Sequence, residues 1–208
     1  MRHAFSFPVH IREAVRAHVQ RAVDGLSSSR FAQEPAYTAA LLARLEGTPY
    51  NDEDGSVVIT ATNVNSVGPG AAERWSGADF AITATITKGD LSIRKAILGQ
   101  AKLGSLSELS VRERERMVGQ IVDMRQLTQS PKVLLIHETG VRRAPVIASG
   151  MMIARSQDTQ ELSLPDYFVR RILTTLDGDT RPGFVDGVEE SSLQQLRVVA
   201  STVATVQV

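Results

Sequence analysis

Apolar residues about four positions apart mark the first element. In residues 10–26, HIREAVRAHVQRAVDGL, the residues Ile11, Val15, Val19, Ala22 with Val23, and Leu26 share one helical face, and Gly25 with the serines of GLSSSR ends the run. A second helix is predicted to open at Glu34, because Pro35 suits a first helical position and Tyr37, Leu41, Leu42 and Leu45 form one apolar face before Gly47. TPYNDEDG then reads as a loop. Beyond it the period changes: SVVITAT (56–62), ADFAITATI (78–86) and RKAILGQAKL (94–103) are short and β-branched, the last two joined by the turn TKGD. The stretch NVNSVGPGAAERWSG between the first two is loop-like and long enough to suggest function. Residues 110–129 predict a helix with Ser110 as cap and Glu113 completing a capping box, its apolar face being Met117, Ile121, Met124 and Leu127 or Thr128. PKVLLIHE is almost wholly apolar, which predicts a central strand.

After Gly140 the pattern weakens. PVIASGMMI reads as a strand and PDYFVRRILTTL as a short helix, whereas the last segment, SSLQQLRVVASTVATVQV, does not decide between helix and strand. The expectation is one α/β domain over residues 1–208, with residues from about 140 to 208 elaborating an earlier core.

One strand carries an anomaly. In AILGQAKLG (96–104), Gln100 and Lys102 stand two residues apart and therefore point to the same face, together with Ala96 and Leu98. An amide and an amine are thus expected side by side next to a core.

Composition narrows what they can do. The chain has 208 residues, 42% hydrophobic and 22% charged, enough to bury a core. Its 23 Lys and Arg balance 23 Asp and Glu, so any nucleic-acid-binding surface must be local. The absence of cysteine removes disulfides, thiolate metal cages and a cysteine nucleophile, and fits a reducing compartment. No apolar signal core opens the chain and no run approaches a bilayer span, so the expectation is a cytoplasmic protein without membrane contact. Common motifs fail. His137–Glu138 lacks the second histidine of a zinc helix, since position 141 is Val. NDEDG lacks the spaced ligands of a calcium loop, GPGAAE lacks the third glycine of a dinucleotide fingerprint, and four scattered histidines do not make a zinc site.

What remains is a constellation on adjoining strands. Asp79 opens the second strand in SGADFAI, and Gln100 and Lys102 sit on the next, its expected hairpin partner. A carboxylate and an oxygen ligand so placed can share a hard cation such as Mg²⁺ (or Mn²⁺), which acidifies bound water and clamps the oxygens of a phosphoryl displacement. Lys102 would orient or help deprotonate that water, or stabilise charge on phosphorus-bound oxygen. Plainer roles compete: Asp79 as a turn cap after Gly77, and Gln100 with Lys102 on a solvated sheet face.

GADF, followed 21 residues after its Asp by QAK, resembles the PD-(D/E)XK nuclease superfamily, in the variant with Gln in place of the acidic residue of the last motif. The order helix, three strands, helix, strand over about residues 30–138 is similar to that superfamily's restriction-endonuclease-like core, a mixed central sheet flanked by helices (α-β-β-β-α-β). Here an N-terminal helix and a C-terminal elaboration would be added. Two departures stand out: Ala precedes Asp79 where the family name has Pro, and neutral Gln100 removes one charge from the metal site. The resemblance implies a Mg²⁺-dependent endonuclease acting on DNA, or RNA, with a role in bacterial defence against foreign DNA and a homodimer as one assembly. Asp79 and Gln100 would hold the metal, and a further glutamate would complete it: Glu34, opening the second helix, or Glu73 in AAERWSGAD. Glu34 has the alternative role of an acid at a helix N-terminus. Phosphate contacts would come from Arg94, Lys95, Arg142 and Arg143. RERER (112–116) reads as a solvated helix face whose arginines are further phosphate candidates, and Trp75 as a packing residue or a base stacker. The competing expectation is a catalytically inactive nucleic-acid-binding or scaffold subunit that keeps the fold.

Overall fold

The computed structural model describes residues 6–27, 30–31, 33–62, 76–137, 144–174 and 176–203. Glu73, Trp75, Arg142, Arg143 and most of the suspected functional loop lie outside the described residues. The first two helices form where the apolar period places them, α1 over Val9–Asp24 and α2 over Glu34–Leu45, with Ile11, Val15 and Val19 buried on one and Tyr37, Leu41 and Leu45 on the other. TPYNDEDG is not a loop. Gly47–Asp52 forms strand β1, the outer partner of β2 (Gly55–Thr62), in a hairpin with an irregular register between Gly47 and Tyr50. Pro49 and Asn51 hide this strand from propensity, and an edge strand is one of the few places in a sheet where proline is tolerated.

Strands β3 (Phe80–Lys88) and β4 (Leu91–Leu103) form the expected antiparallel hairpin, with Phe80 opposite Gly99. Helix α3 (Val111–Leu127) begins at the complete Ser110–Glu113 capping box. Strand β5 (Lys132–Ile136), buried throughout, runs parallel to β4 and is interior to the sheet as its composition predicts. Strand β6 (Val146–Ser149) is followed by α4 (Gly150–Ala154), the short β7 (Leu162–Ser163) and α5 (Leu164–Tyr167), which continues into a π-helical turn, Phe168–Ile172. Helix α6 (Pro182–Glu189) leads to β8 (Gln194–Thr202).

Among the described residues, eight strands make one mixed sheet in the order β1-β2-β8-β3-β4-β5-β6-β7. The undecided last segment is therefore a strand, antiparallel to β2 and parallel to β3, lying between them. Residues after 140 do not merely decorate the fold, because β8 separates two strands that are adjacent in sequence. Helices α1, α2 and α5 with its π turn cover one face, while α3, α4 and α6 cover the other. Alternation along β4 is clean: Ile97 and Ala101 join the first core, Ala96 and Leu98 the second. Gly99 is required between them, since a Cβ there would collide with the ring of Phe80. No described helix is long and apolar enough to cross a membrane.

The position of β8 makes a stability prediction. Leu196 is fully buried in the first core, so Leu196→Ala is expected to lower the unfolding free energy by about 2–5 kcal/mol, checked by urea denaturation.

Candidate functional site

The site lies where β4 runs on past the first residue of β3. Phe80 is the first residue of β3 and pairs with Gly99, leaving residues 100–103 of β4 without a strand on that side. Their backbone N–H groups need acceptors. The Asp79 carboxylate accepts from the Ala101 N–H at 2.8 Å, and the Glu34 carboxylate accepts from the Leu103 N–H at 3.2 Å. Two acids from distant parts of the chain thus finish the strand edge in place of backbone carbonyls. Asp79 is aimed by its own N–H, which donates to Gly99 O at 2.9 Å, and by the preceding turn at Gly77, whose φ of +67° suits glycine.

The amide and the amine lie where alternation puts them. The Gln100 Nε2 donates to Asp79 Oδ2 and to Ala101 O, while its Oε1 is buried and meets no partner among the described residues. The Lys102 Nζ pairs with Glu34 Oε2 at 3.0 Å, its side chain only 9% exposed. Glu34 therefore binds the backbone of β4 with one oxygen and the lysine with the other. Asp79, Gln100, Lys102 and Glu34, from three elements, meet in one open cleft of about 720 Å³.

The far wall is one that the sequence presents as solvated surface. Glu108, Glu113 and Arg116, from the approach to α3 and its first turns, also line the cleft. Glu113 is held below the usual carboxylate range by the Ser110 hydroxyl and backbone, with the nearby Lys102 charge adding to the effect. Glu108 is lowered by the backbone and side chain of Ser105. The capping box at Ser110 was the signal that could have located this wall, because it fixes where α3 starts. Four acids (Glu34, Asp79, Glu108, Glu113) and two bases (Lys102, Arg116) leave a formal excess of two negative charges in the lining. These acids do not converge: among the described residues no group of three or more His, Asp or Glu is arranged to hold a metal ion. A hard cation would instead find two carboxylates, Asp79 and Glu34, and the unpartnered amide oxygen of Gln100, which is a fitting if neutral third ligand.

Two expected phosphate contacts need correction. Arg94 is committed elsewhere: its guanidinium binds Asp186 at 2.9 Å and Glu189 at 2.7 Å on α6. Lys95 is 1% exposed and cannot meet a nucleic acid. Strand alternation was the available signal, since Lys95 shares the face of Ile97 and Ala101, which is core. Its Nζ donates to Arg171 O and Thr174 O near the end of the π-helical turn. Two carbonyls match the two protons of a neutral amine and leave the third proton of an ammonium unsatisfied. Burial pushes this amine down from 10.5 to about 7, against the opposing pull of Asp177.

Removing Glu34 should expose its double role. Glu34→Ala is expected to cost about 1–3 kcal/mol, because it strands a buried ammonium and a backbone N–H, and Lys102→Met in the same chain should recover part of the loss. Denaturant unfolding of the two single variants and the double variant checks this.

For Lys95 the sign follows from the depressed value. Below pH 7 both folded and unfolded chains hold the proton and the cost of the buried charge is fully present, whereas between about 7 and 10.5 the unfolded chain binds more protons and stability rises with pH. The melting-temperature advantage of Lys95→Met over the wild type should therefore be larger at about pH 6 than at about pH 9.

In comparisons with protein-family models, curated proteins and solved structures, none matches this chain.

Proposed function

We propose that the protein is a metal-dependent nuclease of the PD-(D/E)XK type that hydrolyses phosphodiester bonds, with DNA as its substrate. The observation that carries this reading is the meeting of Asp79, Gln100, Lys102 and Glu34 at the start of β3, where 68 residues of sequence separate Glu34 from the lysine it pairs with. A strand edge can be finished by any acceptor. It does not need an almost buried lysine paired with one of two carboxylates, near an amide oxygen that meets no partner among the described residues.

Asp79, Gln100 and Glu34 would hold Mg²⁺ or Mn²⁺, and a bound ion would supply charge neutralisation for the phosphate and a more acidic water. The excess of two negative charges in the cleft favours that cation and would repel an uncompensated phosphate. The chain's own contribution centres on Lys102. Its ion pair with Glu34 fixes the ammonium in the cleft, where it stabilises negative charge that develops on the phosphoryl oxygens and orients the attacking water. Water adds to phosphorus and gives up one proton to solvent as the P–O bond to the leaving nucleotide breaks, and the leaving oxygen takes up a proton from solvent. Arg116 on the far wall is the exposed cation nearest in role to a phosphate contact. A cytoplasmic role in defence against foreign DNA, and a homodimer for cutting two strands, accompany this reading as proposals.

One observation favours a second reading. A neutral amide at position 100, in a site with no cluster of three acids or histidines among the described residues, suits a nucleic-acid-binding or scaffold subunit that keeps the fold without cleavage.

The experiment is a cleavage assay on supercoiled plasmid and single-stranded DNA with Mg²⁺ or Mn²⁺, run beside thermal denaturation with and without metal. The nuclease reading expects cutting by the wild type, a loss of about 100-fold or more in Lys102→Ala and Asp79→Ala, and a metal-induced rise in melting temperature that Asp79→Ala abolishes. Gln100→Glu, which restores a charge, should strengthen the metal response. Folded wild type that neither cuts nor responds to metal would instead support the binding subunit.

A further inference from the structure

A second cleft, of about 370 Å³, lies between the start of α1 and the π-helical turn and shares no lining residue with the first. Its charged lining residues are Arg12, Arg170 and Arg171, and among the described residues no Asp or Glu lines it. In a chain of zero net charge, three guanidinium groups around one depression are a local concentration that mutual repulsion opposes. Neighbouring acids neutralise it only in part. Arg170 reaches Asp166 at 3.5 Å, but Arg12 and Arg171 form no ion pair among the described residues. The Nε of Arg12 is buried and has no hydrogen-bond partner there.

The rest of the lining has a different character. Phe7 and Leu173, both almost fully buried, and the half-buried Leu162 give the cleft an apolar wall. Guanidinium forks match the oxygens of phosphate in pairs, and three of them exceed what the single charge of a phosphodiester would balance. The volume is that of a small-molecule site. We propose that this cleft binds a phosphomonoester carrying an apolar or aromatic body, with the dianionic phosphate on the arginines and the body against Phe7, Leu162 and Leu173. This inference does not depend on the nuclease reading.

Calorimetric titration of the full chain with phenyl phosphate and with inorganic phosphate tests it. Phenyl phosphate is expected to bind about tenfold more tightly than inorganic phosphate, to lose about tenfold in the double variant Arg12→Gln/Arg171→Gln, and to bind Asp79→Ala as it binds the wild type. No binding of phenyl phosphate, equal affinity for the two phosphates, or unchanged affinity in the double variant would overturn the proposal. Should the double variant fail to fold, the Nε–Hε NMR resonance of Arg12 in the wild type decides: a shift on adding phenyl phosphate supports the site, and none overturns it. AMP and hexyl phosphate, titrated alongside, distinguish a nucleotide from a lipid-like alkyl source by which binds more tightly.

Discussion

The candidate site depends on a mismatch in length between two paired strands. Strand β4 continues to Leu103, while its hairpin partner begins only at Phe80, opposite Gly99. A buried N–H without an acceptor costs as much as a lost hydrogen bond or more, so the open edge must be closed by something. Here it is closed by side-chain carboxylates, Asp79 on Ala101 and Glu34 on Leu103. Each acid keeps a second interaction, Asp79 with Gln100 and Glu34 with Lys102. The same requirement that completes the sheet thus gathers the polar side chains that give the cleft its chemistry.

Two buried lysines on one strand show how surroundings set the chemistry of an amine. Lys102 and Lys95 stand on opposite faces of β4, and both are almost excluded from water. Lys102 has a carboxylate at 3.0 Å and so keeps a counter-charge. Lys95 has two backbone carbonyls, which serve a neutral amine well and an ammonium poorly, and burial lowers it accordingly. The first lysine belongs to a solvent-connected cleft. The second ties β4 to the chain that follows the π-helical turn, where Asp177 holds Lys132 at 2.8 Å and Ser130 at 2.7 Å.

Much of the scaffold was legible because its signals are local. The apolar faces of α1 and α2, the capping box of α3 and the β-branched runs of β2 to β5 each specify an element within about a dozen residues. The same-side placement of Gln100 and Lys102 follows from strand alternation alone. The edge strand β1 was obscured by Pro49 and Asn51, whose low strand propensity is overridden by pairing with β2. Arg94 and Lys95 were both expected to contact phosphate, although in a strand adjacent residues face opposite ways. One pairs with α6 and the other is core.

The sequence by itself determined the first three helices, the strands β2 to β5 and which side of β4 carries the amide and the amine, because backbone periodicity needs only near neighbours. Tertiary structure alone decided that Glu34 reaches Lys102, that Glu113 and Arg116 form the opposite wall, and that β8 inserts between β2 and β3. Those outcomes are contacts between segments far apart along the chain. They are settled by how the whole sheet buries its two faces and satisfies its edges, which no single segment encodes.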